Sequence, residues 1–307
     1  MRSQAWRREL QNYLWHKRLH PRVDDIDTER HVNNVAVKAL HAEARMRFQL
    51  ERFPDLPAWY SPQKQLRPLQ LVTNFLAVTH YPNDVKSGLR LLHTDARKSV
   101  WATALFQNGQ CVSTHEAQLC VWENDRPAAF SNAERKALHP HASADFPALP
   151  PQQIGGSLHR EDYPIGQTVT VRYGDWDAHW SLNDLVQLRC IEQIRASTTF
   201  RMMREAGMVH QQPGGLAVLM ASKRVRFLRL SHAQQQVEVR LAVARLGTSS
   251  LDLAIALFDD LGCFALADGV SVFVDPETQR PKEIPAAMRD WLVHLEPVAP
   301  AYAMEEG

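Results

Sequence analysis

The chain has 307 residues and a formal net charge of +1, with 45% hydrophobic and 22% charged residues. That length accommodates two domains of about 150 residues each, and the near-balanced charge offers no field for nucleic acid or an anionic membrane surface. No apolar run approaches the roughly 18 residues of a membrane helix, and the charged stretch from Met1 to His20 lacks the apolar core of a signal peptide.

The four cysteines, Cys111, Cys120, Cys190 and Cys263, form no C-x-x-C pair. Neither a zinc site nor a redox pair is expected, and no cofactor. Each is expected to pack as a small apolar side chain, reduced, in a cytoplasmic protein.

In chain order, residues 1–16 intersperse Trp6, Leu10, Leu14 and Trp15 among charged positions, which predicts a helical N-terminal extension. From Leu19 to Val23 apolar and polar residues alternate, the period of a strand. This strand leads into Arg22-Val23-Asp24-Asp25-Ile26-Asp27-Thr28-Glu29-Arg30-His31-Val32-Asn33-Asn34. Asn33 is a good N-cap residue, and Leu40, Ala44 and Phe48 mark a helix of about 20 residues behind it. Strands follow at Ser99–Leu105 and Cys111–Val121, separated by Asn108-Gly109. Arg126-Pro127 then feeds a short helix near Ser131.

Residues 139–166 carry a high density of Pro and Gly, the composition of a linker. Beyond it the pattern starts again. Val169, Val171 and Tyr173 alternate with polar residues and lead into Arg172-Tyr173-Gly174-Asp175-Trp176-Asp177-Ala178-His179-Trp180-Ser181-Leu182-Asn183-Asp184. Asn183 caps a second long helix, and strands are expected at Val237–Val243 and Leu251–Leu257. Arg22, Asp25, Asp27, Asn33 and Arg45 all recur exactly once at an offset of 150, as Arg172, Asp175, Asp177, Asn183 and Arg195. Five ungapped identities half a chain apart are the signature of a duplicated domain. The expected organisation is a first domain at 17–138, the linker, a second at 167–293, and a tail at 294–307.

A D-x-D loop, then H-V-N-N, then an arginine one helix later resembles the 4-hydroxybenzoyl-CoA thioesterase-like branch of the hotdog superfamily. Asp275-Pro276-Glu277-Thr278-Gln279-Arg280-Pro281 resembles the ending of that branch. The resemblance covers both halves. It implies an α+β chain of two hotdog domains in tandem, each a long helix enclosed by a curled antiparallel sheet, paired as an internal pseudo-dimer that can oligomerise further. It also implies hydrolysis of an acyl thioester, acyl-CoA first and acyl carrier protein as the alternative partner.

By the same resemblance Asp27 and Asp177 are base or nucleophile, and the backbone N–H of Asn34, or of Asp184, polarises the carbonyl. The residue chemistry suits those roles. A helix start presents N–H donors and the positive dipole end to a developing oxyanion, and a nearby carboxylate reaches the carbonyl carbon or a water beside it. Asp25, Asp175, His31, Asn33, Asn183 and Asp184 are expected to support the loop and cap the helix. Arg224 and Arg226 share a strand face and are candidates for the CoA phosphates. His93 and His115 fall on predicted strands, where a lone histidine is expected in core or surface.

The chain departs from the family at Arg30 and Trp180, where Gly is usual, and at Ser181 and Asp184, which replace His31 and Asn34. Those changes leave open a non-catalytic acyl-binding protein. A hotdog hydratase fits poorly.

Overall fold

A computed structural model describes residues 2–53, 64–143, 145–150, 153–207, 215–232 and 235–295. The tail expected beyond 295 lies outside them. The chain divides into two units, Met1–Gln152 and Gln153–Gly307.

The first unit holds β1 (Trp15–Leu19), α1 (Asn34–Arg52), β2 (Lys64–Phe75), β3 (Val85–Thr94), β4 (Ser99–Gln107), β5 (Gln110–Glu123), β6 (Arg126–Ala128) and α2 (Asn132–Leu138). Its strands are all antiparallel in the order β1-β3-β4-β5-β2, with β6 on the end of β5. The second unit repeats the plan with β7 (Ile165–Thr170), α3 (Asp184–Glu205), β8 (Ala217–Phe227), β9 (Gln236–Leu246), β10 (Ser250–Asp259), β11 (Gly262–Val274) and α4 (Ala286–Val293). Its order is β7-β9-β10-β11-β8. This is the hotdog arrangement, present twice.

Each long helix buries an apolar face. Val37, Leu40, Ala44 and Phe48 of α1 are buried, and the Phe48 ring meets Trp15, Phe53 and Trp101 edge-on at 5.7–5.9 Å. In α3 the buried residues include Val186, Leu188, Ile191, Ile194, Met202 and Met203. Asn33 and Asn183 cap these helices, accepting from the N–H of Ala36 and of Leu185 at 2.8 Å. β1 and β7 start and stop about four residues earlier than the alternation predicts. Pro21 has no N–H to extend the ladder, and Val23–Asp25 and Tyr173–Asp175 coil into 3-10 turns instead.

The other face of each sheet is covered as well. The N-terminal amphipathic segment forms two 3-10 stretches, Arg2–Arg8 and Leu10–Asn12, rather than an α-helix. It lays Trp6, Leu10 and Tyr13 over Val100, Ala102, Ala104 and Phe106. In the second unit Ile154 and Tyr163 cover Ala242, Ala254, Ala256 and Phe258 in the same way. Tyr13 donates its hydroxyl to the Arg7 carbonyl, and Tyr163 to that of Ser157, each at 2.8 Å.

Beneath each cover sits a buried carboxylate. Glu116 on β5 holds Arg7 at 2.5 Å and accepts from the Leu149 N–H. Asp268 on β11 holds Arg224 and accepts from the Gly155 N–H. All four cysteines are free, and burial pushes their thiols up, to about 11 for Cys111 and Cys190 and about 12 for Cys120 and Cys263. No helix among the described residues is long and apolar enough to cross a membrane.

Candidate active site

Each D-x-D loop is built by its own side chains. Asp25 accepts from the Arg22 N–H at 2.8 Å, and Asp175 does the same for Arg172. These first aspartates therefore shape the turn. The carbonyl of Asp25 takes the Asn33 N–H at 2.8 Å, and that of Asp175 the Asn183 N–H at 2.9 Å, which fastens each loop to the start of its helix. Val32 and Leu182 donate to the carbonyls of Thr79 and Ser231, both at 2.8 Å. The turn needs positive φ at the family's glycine position: Arg30 has φ 63 and Trp180 φ 60.

The second aspartates differ between copies. Asp27 accepts the N–H groups of Glu29 and His31 at one oxygen, Oδ1, both at 3.0 Å. Its Oδ2 accepts no hydrogen bond among the described residues. Asp177 accepts His179 and Ser181 N–H groups at Oδ1, and its Oδ2 takes the Ser181 hydroxyl at 2.9 Å. The substitution of His31 by Ser181 thus occupies the oxygen that a base or nucleophile would use. The first residue of the helix differs too. Asn34 opens α1 with a neutral side chain, whereas Asp184 puts a carboxylate at the positive end of α3. A negative charge there disfavours an oxyanion beside the same N–H groups.

His31 supports its loop through the backbone, donating to Asp27 and accepting the Asp27 N–H at 2.8 Å. Its ring meets His80 edge-on at 5.3 Å. Burial lowers the His31 pKa, Asp27 opposes that, and His80 adds to it. His80 was not foreseen from the sequence. It sits between β2 and β3, and Gln107 at the end of β4 clamps it, accepting its N–H and donating to its carbonyl at 2.8 Å each. Only the folded path of the chain brings it to His31, so no local pattern marks it.

Of the two candidate arginines, one is already paired. Arg224 makes a bidentate ion pair with Asp268, both contacts at 2.6 Å, and its neighbour Arg226 is exposed. Paired opposite Asp268 on β11, Arg224 balances a buried charge. His93 is exposed beside Asp95, and His115 is buried. A cavity of about 300 Å³ lined by Thr94, Asp95, Arg135, Lys136 and His139 lies at the far end of β3 from the Asp27 loop. No group of three His, Cys, Asp or Glu side chains able to hold a metal gathers among the described residues.

Residues 171–292 match the family model of the thioesterase-like superfamily. The chain is similar in fold to the 12:0-ACP thioesterase from Umbellularia californica, with 10% identity, 87% of this chain and 94% of that one covered, and a TM-score of 0.66. It is likewise similar to an acyl-ACP thioesterase from Bacteroides thetaiotaomicron, with 9% identity, 86% and 99% covered, and a TM-score of 0.64. Among curated proteins none matches the sequence. The molecule is a tandem hotdog chain that resembles the thioesterase-like proteins, as the paired D-x-D loops imply.

Proposed function

We propose that the chain hydrolyses an acyl thioester at its first D-x-D loop, with acyl-CoA as substrate. The observation that carries this reading is the uncommitted Oδ2 of Asp27, held on a loop whose other oxygen is fixed by two backbone N–H groups. Fixing one oxygen orients the other without a mobile partner. Asp27 takes a proton from water as the water oxygen attacks the thioester carbon. The Asn34 N–H, at the positive end of α1, stabilises the oxygen that becomes negative. The C–S bond then breaks, and the thiolate leaves and takes up the proton, yielding free acid and thiol. A thiolate is a good enough leaving group that no metal is needed. Asp177, with its second oxygen bonded to Ser181, is the weaker or silent copy.

A second reading keeps the chemistry and changes the carrier. The two similar folds named above are acyl carrier protein thioesterases by name. Thiol release from acyl-CoAs of increasing chain length, run beside the same chains on acyl carrier protein, decides between the two. The expected result is turnover of CoA thioesters. Turnover of carrier-protein thioesters alone would assign the second reading, and tight acyl-CoA binding with no thiol released from either would mean a binding protein.

A further inference from the structure

The two helices cover different interiors. Under α1, His41 contacts Thr103 Oγ1 through Nδ1 at 2.7 Å and Ser113 Oγ through Nε2 at 3.0 Å. Ser113 donates its hydroxyl to the Asn74 carbonyl, so His41 Nε2 carries the proton and Nδ1 accepts from Thr103. The His115 ring stacks on His41 with centroids 4.8 Å apart, and its Nδ1 meets Thr73 Oγ1 at 2.9 Å. All five side chains are at most 2% exposed.

The second unit shows what the fold does without this cluster. Its hairpin turns, Gln107–Gln110 against Asp259–Gly262, and the bulges after Leu105 and Leu257 fix the strand correspondence at two residues more than the offset of 150 between the helices. His41, Thr73, Thr103, Ser113 and His115 then correspond to Ile191, Val225, Ile255, Ala265 and Ala267. Every one of those is apolar and at most 1% exposed. The same architecture therefore closes with an ordinary apolar core. Hydroxyls and imidazoles in a core cost free energy unless every group is bonded. One group is not: His115 Nε2 is buried and has no partner among the described residues.

We infer that the His41–His115 cluster is a specificity subsite for a neutral oxygen function, a hydroxyl or an oxo group, carried in the middle of the acyl chain. The inference rests on the thioester reading and names its substrate class. Both imidazoles are neutral, because burial holds His41 near a pKa of about 3 and His115 well below its ordinary value. With both imidazoles neutral, the open position at His115 Nε2 is matched by a neutral oxygen that completes its hydrogen bond. The position along the helix sets where that oxygen lies. From Asn34 to His41 α1 rises about 10 Å, which an extended chain spans in roughly nine bonds. An acyl chain whose carbonyl meets the helix start, and which runs along α1, brings a mid-chain substituent to His115.

The test uses the full chain with ¹⁵N-labelled histidine and three CoA thioesters of one octadecanoyl chain: unsubstituted, 10-hydroxy and 10-oxo, which put the oxygen about nine bonds from the carbonyl. We expect kcat/KM for at least one substituted chain to exceed that for the plain chain by about tenfold or more, as for sites built to bond a substrate oxygen. His115→Ala is expected to bring that ratio within about twofold of one. In the parent, the His115 Nε2 resonance shifts with the matching hydroxy or oxo acid and not with the plain acid. Equal turnover of all three thioesters, or a preference that survives His115→Ala, overturns the subsite. The resonance shift needs no variant to fold and no turnover. If no thiol is released but Nε2 still responds, the hydrolase reading falls and the subsite stands. If Nε2 does not respond, the subsite falls whatever the turnover.

Discussion

Arg30 and Trp180 occupy the left-handed region that L side chains avoid, at φ 63 and φ 60. Non-glycine residues there are strained by about 1–2 kcal/mol, part of which glycine gives back through its freer unfolded chain. Arg30 is exposed and its side chain makes no hydrogen bond or ion pair among the described residues, so Arg30→Gly is expected to raise stability by about 0.5–1 kcal/mol. Urea unfolding measures it, and a midpoint that falls would show that the Arg30 side chain holds the loop. The Arg7–Glu116 pair behaves oppositely. Both side chains are at most 4% exposed, and burial raises the Glu116 pKa even against the pull of Arg7. Arg7→Ala leaves a carboxylate buried without its partner and should cost about 3–5 kcal/mol.

At the scale of elements, close approach and burial set the tolerances. A Cβ on Gly88 would lie 2.7–2.8 Å from the Tyr13 ring, inside contact distance. Tyr13 is locked by its bond to Arg7, so Gly88→Ala should pry the N-terminal cover from β3 and cost about 1–3 kcal/mol. The α1 interior predicts an acid dependence. His41 and His115 stay neutral when folded and regain an ordinary pKa near 6.5 when unfolded. Below that value the unfolded chain binds protons that the folded chain does not, so stability falls as pH drops from about 6.5 towards 3. The slope is about 1.4 kcal/mol per pH unit for each histidine. Replacing the five cluster residues by their second-unit counterparts should remove that contribution. The check is the difference in urea stability between parent and replacement at neutral pH and at pH about 5; a difference that does not change with pH would contradict the neutral pair.

For the whole molecule, the duplication was the legible fact. The repeated Asp and Asn positions and the N-caps needed only counting, and both long helices start where Asn33 and Asn183 put them. The strand alternation gave the hairpins but set β1 and β7 too late, because the pattern runs on into residues that the 3-10 turns take out of the sheet. The occupied Oδ2 of Asp177 was half visible, since Ser181 stands in the sequence but its rotation onto the carboxylate does not. The His41 cluster was hidden. It depends on the register of three strands and on a shift of two residues between helix and hairpin offsets, neither of which a single repeat spacing reveals. The central claim is that one of two similar loops does the chemistry, and thiol release by Asp27→Asn beside Asp177→Asn tests it most directly. The account predicts that Asp27→Asn loses at least about 10²-fold in kcat while Asp177→Asn stays close to the parent. Equal losses in the two variants, or a larger loss in Asp177→Asn, would contradict it.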